Sequence, residues 1–308
     1  MILNGAGGTK LGVLYEHQGW LDPLFLQLDR RGVPYEAVDL RRHRYQVGER
    51  PSYGVALNRM SPSAHTRGNR NAMTYTSQLL AELESSGVRV LNGHRAYLAE
   101  VSKAYQLGVL QALGVPYPRT VVINHPKEAA AAAERLSFPV VVKPNVGGSG
   151  AGIRRFDTLA ELEAAEAELE LGIDQTGLVQ EFIQPAEGRI IRVEFVNGEH
   201  LYSISVDATG GFNLCPADLC LESTGGGSRR AERAFPEPEI LHQVGAILEA
   251  LKIDVGGVEY VVAADGQRYF YDVNALSNFV ADAANVIGFD PYERLAEYLE
   301  GQLQARPD

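Results

Sequence analysis

The residues best suited to chemistry lie near the C-terminus. Val258-Glu-Tyr-Val-Val-Ala-Ala264 and Gln267-Arg-Tyr-Phe-Tyr-Asp-Val-Asn274 flank Asp265-Gly266. Asp-Gly between two such runs predicts a tight hairpin. A two-residue loop sets Glu259 directly opposite Asp272, with Asn274 two residues further along the same face. Opposed carboxylates repel. A divalent cation reverses that repulsion. Two carboxylates and an amide oxygen are hard donors that suit Mg²⁺ or Mn²⁺, held together with phosphates. The neighbouring Val, Tyr and Phe residues argue against a strand face in open water.

A second candidate is a glycine loop. Pro139-Val-Val-Val-Lys-Pro144 reads as a buried strand with Lys143 at its end, and Asn145-Val-Gly-Gly-Ser-Gly-Ala-Gly152 follows. Glycines there let successive backbone N–H groups converge on a phosphate. No Gly-Lys-Ser/Thr closes the loop, so it is not a P-loop. A strand rather than a helix follows, so it is not a dinucleotide fingerprint either. Taken alone the loop also fits a flexible hairpin; the lysine at its mouth supplies the point charge a phosphate needs.

A third segment turns at Asn197-Gly198. A two-residue loop there puts Ile191, Val193 and Phe195 on the core face opposite Tyr202 and Ile204. Arg192 and Glu194 then share the other face with Leu201 and Ser203. Arg192 either reaches a developing phosphate charge or pairs with Glu194.

The elements that must position these residues follow from periodicity. In the first hundred residues, strands at Leu11–Tyr15, Tyr35–Leu40, Tyr53–Leu57 and Arg89–Leu91 alternate with helices at Trp20–Arg30 and Asn71–Leu83. That alternation predicts a parallel sheet. The polar tract Asn58–Asn71 carries Arg59, His65, Arg67 and Arg70 and follows a strand end; it reads equally as a solvated loop or a substrate loop. A helix over Ser102–Leu113 stops at Gly114, and Gly114-Val-Pro-Tyr-Pro118 marks a boundary. Strands at Thr120–Ile123, Val140–Lys143, Gly152–Phe156 and Leu178–Ile183 follow, with a helix over Lys127–Leu136 and another opened by the capping box Thr158-x-x-Glu161. The two hairpins and two helices complete the chain, the last helix starting at Asp290-Pro291.

Composition narrows the function class. The chain has 308 residues, and Lys+Arg 28 against Asp+Glu 39 gives a net charge of −11. So acidic a chain is poorly suited to neutralising nucleic-acid phosphates. No apolar run is long enough to span a membrane, and Met1–Gly12 lacks the basic and apolar regions of a signal peptide. The two cysteines, Cys215 and Cys220, make neither a disulfide framework nor a metal signature. A cytoplasmic location is the expectation.

Five ordered segments together resemble the ATP-grasp superfamily, and its RimK-like and glutathione-synthetase-like carboxylate–amine ligases in particular. They are Val101-Ser-Lys103, Val141–Gly152, Leu178-Val-Gln-Glu-Phe-Ile183, Ile191-Arg-Val193, and Gly257-Val-Glu259 with Asp272-Val-Asn274. The resemblance implies an α/β and α+β fold in which two α+β lobes grip ATP behind an N-terminal α/β (pre-ATP-grasp) domain. Residues 1–99 would form that domain, 100–183 the small lobe with its linker helix and glycine loop, and 184–308 the C-terminal lobe. Carried over by position, Lys103 and Lys143 contact ATP phosphates, and Gly147, Gly148, Ser149 and Gly150 fold over them. Gln180, Glu181, Phe182 and Ile183 line the adenine slot, and Glu259, Asp272 and Asn274 hold Mg²⁺. Arg192 lies near the transferred phosphoryl group, with Lys143 as its catalytic companion.

The chain also departs from the family's usual pattern. Ile190 stands where relatives commonly place an acidic ribose ligand, and Glu187 is the nearby substitute. No Pro-Gly follows Asn274, and Gly211–Pro216 lacks an arginine, which leaves Asn213, Arg229 and Arg230 to face the phosphates. The implied reaction is ATP-dependent amide-bond formation through an acylphosphate, with a small-molecule or peptide carboxylate and an amine as partners. A phosphotransferase that stops at phosphoryl transfer and a non-catalytic nucleotide-binding module are the alternatives. Oligomeric state, a homo-oligomer included, is left open.

Overall fold

The computed structural model describes residues 10–148, 150–209 and 231–305. Ser149, Asn213, Cys215, Cys220, Arg229 and Arg230 lie outside the described residues. Three sheets organise the chain.

The first is built from β1 (Leu11–Tyr15), α1 (Asp22–Arg31), β2 (Tyr35–Asp39), β3 (Val55–Arg59), α2 (Arg70–Ser85) and β4 (Arg89–Leu91). Its strands are all parallel, in the order β2-β1-β3-β4, as the alternation of strands and helices predicted. The helix expected from Trp20 begins later, at Asp22, because Pro23 sets its first turn and a short 3₁₀ turn covers Gln18–Trp20. Two helices, α3 (His94–Glu100) and α4 (Lys103–Ala112), lead out of this unit. Ser102 caps α4 by accepting from the Tyr105 amide at 3.2 Å.

The second sheet contains β5 (Thr120–Ile123), β6 (Val140–Pro144), β7 (Arg154–Phe156) and β8 (Gly177–Glu181), with α5 (Ala129–Ala133) and α6 (Leu159–Ala165) across one face. Its order is β5-β8-β6-β7, all antiparallel. Its core is its own, centred on Ile123, Val140, Val142, Phe156, Leu162 and Val179.

The third sheet takes β9 (Arg189–Val196), β10 (Glu199–Asp207), β11 (Ala231–Arg233), β12 (Val255–Val262) and β13 (Arg268–Asn274) in the order β11-β10-β9-β12-β13. With it go α7 (Pro238–Leu251), α8 (Ala283–Val286) and α9 (Pro291–Gln304). Asp290 caps α9 through the Tyr292 amide, as the Asp-Pro signal predicted.

This sheet does not have a separate core on its site-bearing side. One cluster joins Leu11, Val13 and Leu24 of the first unit to Tyr202, Ile204, Phe279 and Leu295. Asn92, held at φ 54°, reinforces the junction. Its side chain accepts from the Asp254 and Val255 amides and donates to the Val255 and Ala275 carbonyls. Among the described residues no helix is long and apolar enough to cross a membrane.

Candidate active site

A cavity of about 470 Å³ opens between the second and third sheets and reaches the first at Trp20, Pro62 and Ser63. The expected residues that line it are Lys103, Lys143, Gly147, Gly148, Gly150, Gln180, Glu181, Phe182, Ile183, Arg192, Glu259, Asp272 and Asn274. Glu187 is exposed on the turn before β9 and is not part of the wall; Gly188 and Ile190 are.

The hairpin that carries the carboxylates keeps the expected pairing of Glu259 with Asp272, but by another route. The loop has three residues, closed by Ala263 and Gln267, with Gly266 at φ 81°. Tyr260 therefore pairs with Phe270, and a bulge before Asp272 restores the register. The bulge residue is Tyr271, whose hydroxyl donates to Glu259 Oε2 at 2.9 Å. Asn274 Nδ2 donates to Asp272 Oδ2 at 3.3 Å.

The β9–β10 hairpin also shifts register, between His200 and Tyr202. This corrects the face assignment: Arg192 lies opposite Ile204, and Glu194 opposite Tyr202. Arg192 is buried, at 4% exposure, rather than solvated. Its Nε donates to Glu194 Oε1 at 2.5 Å, Nη1 to Glu259 Oε1 at 2.9 Å and Nη2 to Ser277 Oγ at 2.7 Å. Against the pull of burial, Glu194 and Glu259 hold its pKa above the ordinary value. Each terminal nitrogen keeps one N–H for a further acceptor.

The lysines approach from two elements. Lys103, in the first turn of α4, sits 2.9 Å from Asp272 Oδ1 and 3.4 Å from the Gly147 carbonyl. Lys143 is the penultimate residue of β6 and is buried; burial and the neighbouring Lys103 push its pKa down to about 8. Burial works to raise the Asp272 pKa, yet Lys103 and Lys143 hold it below the carboxylate range. Burial keeps the Glu259 pKa raised despite Arg192.

Asn145 connects the two lysine-bearing elements. Its Oδ1 accepts from the Ala104 amide at 2.9 Å, and its Nδ2 donates to Asp174 at 2.7 Å. The glycine loop then turns at Gly150 and Gly152, with φ of 69° and 77°. Gln180 is anchored to Thr120 Oγ1 at 2.7 Å. The Glu181 side chain accepts from the Ser137 amide at 2.8 Å, and the Arg155 guanidinium covers Phe182 at 4.6 Å.

Several residues in or behind the wall carry no motif in the sequence. Glu100 accepts from the Ala275 and Leu276 amides, so it fixes the turn that follows Asn274. Burial raises its pKa to about 7. Ser277 bridges Arg192 and Glu194, and Asn278 lines the cavity beside it. The tract Asn58–Asn71 divides: Asn58, Arg59, Ser61 and Ser63 are buried, whereas Thr66, Gly68, Arg70 and Asn71 are exposed.

The donor set fits a hard divalent cation. Glu259, Asp272 and Asn274 offer oxygens of the right chemistry from adjacent strands, beside two lysines suited to phosphates. Among the described residues no group of three or more His, Cys, Asp or Glu is placed to hold a metal ion.

A model of the RimK-like ATP-grasp domain matches residues 100–299. The chain belongs to the RimK-like ATP-grasp family. Over 305 residues it is 26% identical to a "probable alpha-L-glutamate ligase" of Pectobacterium carotovorum subsp. carotovorum (strain PC1), covering 91% of this chain and 95% of that protein. Its fold is shared by the ATP-grasp ligase PsnB, solved with minimal precursor, Mg and ADP, at TM-score 0.70, 19% identity and coverage of 97% and 99%. D-cycloserine synthetase DcsG superposes at TM-score 0.69 with 20% identity, covering 95% of this chain and 99% of that one. The expected ATP-grasp fold, with a unit preceding the family domain, is thus the observed one. These proteins are ligases and synthetases by name, in keeping with the expectation of an ATP-grasp enzyme.

Proposed function

We propose that this ATP-grasp protein is an ATP-dependent carboxylate–amine ligase. The observation that carries the reading is one cavity holding two lysines, a buried arginine and two opposed carboxylates. In this reading residues 1–99 hold substrate, 100–183 cover the nucleotide, and 184–308 supply the transfer centre.

A carboxylate oxygen of one substrate attacks the γ-phosphorus of ATP, and ADP leaves. The amine of the second substrate attacks the acyl carbon, loses a proton, and expels phosphate. Lys103 and Lys143 bind phosphate oxygens, and Arg192 offers its two remaining N–H groups to charge on the transferring group. Glu259, Asp272 and Asn274 would hold Mg²⁺, which neutralises phosphate charge when bound. The glycine loop over the cavity keeps water from the acylphosphate. No protein nucleophile is required. Adenine fits against Gln180, Glu181, Phe182 and Ile183, and the ribose lies by Gly188 and Ile190. The relatives named as glutamate ligases support amino acids, glutamate first, as substrates to try.

The test is ATP turnover with Mg²⁺ against amino acids and short peptides, singly and in pairs, reading ADP and phosphate together. Phosphate release that needs both a carboxylate and an amine supports the ligase. ADP without free phosphate, with a phosphorylated product, would make it a phosphotransferase.

A further inference from the structure

Gln106 is a buried amide to which the proposed reaction gives no role. It lies in α4, one turn after Lys103, and is 2% exposed. Its side chain makes three hydrogen bonds, all to backbone. Nε2 donates to the Val273 carbonyl at 2.7 Å and to the Ala99 carbonyl at 2.8 Å. Oε1 accepts from the Val273 amide at 3.0 Å. Val273 stands between Asp272 and Asn274. One side chain therefore takes both backbone polar groups of the residue that separates two of the three candidate cation ligands.

The backbone there needs an outside partner. β13 is the edge of its sheet, with β12 on one side only, and the outward groups of an edge strand are otherwise unpaired. The bulge at Tyr271 interrupts the ladder just before Asp272. The Asn274 side chain is tied to Asp272 at 3.3 Å, so the aim of both depends on the backbone between them. Past Asn274, where no Pro-Gly stiffens the chain, Glu100 takes the Ala275 and Leu276 amides and Asn92 donates to the Ala275 carbonyl. Lys103 shares this arrangement, because residues three apart on a helix share a face. Lys103 reaches Asp272 at 2.9 Å, and Gln106 reaches the next residue of the strand.

We propose that Gln106 is a positioning residue: by holding Val273 through its amide and its carbonyl, it fixes Asp272 and Asn274 at one spacing from Lys103, so that cation and phosphates meet in register. This deepens the proposed function and rests on its metal and phosphate assignments. Groups that orient metal ligands from behind typically set metal affinity by roughly ten- to hundred-fold. Plain covering of a strand edge would do something else. Pro116 covers β13 in that way, its carbonyl accepting from the Phe270 amide at 2.9 Å. A cover adds stability only, whereas a positioning residue changes how much the cation contributes to nucleotide binding.

The test needs no turnover. The full chain is titrated into Mn²⁺ and ADP, and water-proton relaxation reads the complex of chain, Mn²⁺ and ADP. Calorimetry in EDTA reads ADP binding without metal. Gln106→Met keeps the length of the side chain and loses all three bonds. It should weaken Mn²⁺–ADP binding roughly ten- to hundred-fold and leave metal-free ADP affinity as in the wild type. Leu110, one turn further along α4 and 1% exposed, supplies the control: Leu110→Ala should lower the melting temperature and leave both affinities unchanged. Gln106→Asn keeps the amide but not its reach; it should fall between wild type and Gln106→Met, and it carries the comparison if the Met variant does not fold. A Gln106→Met variant that binds Mn²⁺–ADP as the wild type does, or that loses ADP equally with and without metal, overturns the inference. So does a Leu110→Ala variant that weakens Mn²⁺–ADP as much, or a wild-type chain that forms no complex with Mn²⁺–ADP. The expected binding results without any amine-dependent phosphate release would instead remove the ligase reading alone.

Discussion

Glu259 and Asp272 face each other across β12 and β13, and each is held by a different cation. Arg192 takes Glu259 at 2.9 Å, and Lys103 takes Asp272 at 2.9 Å. The repulsion expected of opposed carboxylates is therefore balanced by the chain itself. Exhaustive EDTA treatment should leave the melting temperature unchanged while abolishing ATP turnover, and added Mg²⁺ should restore it. Calorimetry beside a phosphate assay reads both; unfolding on chelation would contradict this balance.

Glu259→Gln keeps the shape but removes the charge that both Arg192 and a cation use. Turnover should fall by roughly a hundred-fold or more, the scale of losing one electrostatic stabiliser of a transition state. Nucleotide affinity should change far less. A Glu259→Gln, Asp272→Asn double variant that still turns over ATP would sink the metal assignment.

Lys143 gives a proton-linkage signature. Its pKa in the fold is about 8, against an ordinary 10.5, so between these values the free protein holds it largely neutral. Phosphates restore the charge. ATP binding near pH 9 should therefore take up a proton, seen as a binding enthalpy that varies with the buffer's ionisation enthalpy. Lys143→Met should lose that dependence. The same depressed pKa makes charged Lys143 a stability cost below about pH 8, relieved as pH rises toward 10.5.

The glycine loop separates two glycines by their surroundings. At Gly152, φ is 77° and an added Cβ would sit 2.8 Å from Pro144 Cγ. Gly152→Ala should cost about 1–3 kcal/mol and raise the KM for ATP. At Gly148 an added Cβ meets Ser63 at 3.6 Å, an ordinary contact. Gly148→Ala should fold as the wild type does. Equal melting temperatures for the two variants would refute the distinction.

Glu100 has its pKa raised by burial from 4.5 to about 7. The folded state binds the proton more tightly, so this contribution is present below pH 4.5 and is lost as pH rises through 7. Glu100→Gln can still accept from the Ala275 and Leu276 amides. Its stability relative to wild type should improve across that window, by at most about 3 kcal/mol. Denaturant melts at pH 4.5 and pH 8 check it; a gap that does not change with pH would rule it out.

The carboxylate pair was legible in the sequence because its position depends on alternation and on a turn signal. The details were not. A three-residue loop and the bulge at Tyr271 replaced the simple turn, and they cancel at Glu259. No such cancellation occurs in the β9–β10 hairpin, where one shift moved Tyr202 opposite Glu194. Tyr202 goes instead to a core shared with Leu11 and Leu24, which local periodicity does not encode. Glu100 and Ser277 were hidden for the same reason, and so were the partners of Arg59, a residue the sequence had already placed in a possible substrate loop. Their roles come from contacts between units distant in sequence, as with the Arg59 bond to Ser277.

That shared core also decides what can fold alone. The matched family segment begins at residue 100, yet α9 packs on α1, with Arg31 against Glu300 and Gln27 against Asp290. A fragment cut at the family boundary would carry every residue proposed to contact nucleotide and expose one side of Tyr202, Phe279 and Leu295 to water. Hydrogen exchange should accordingly find two cooperative units among the three sheets: the second sheet opening by itself, and the first and third only together.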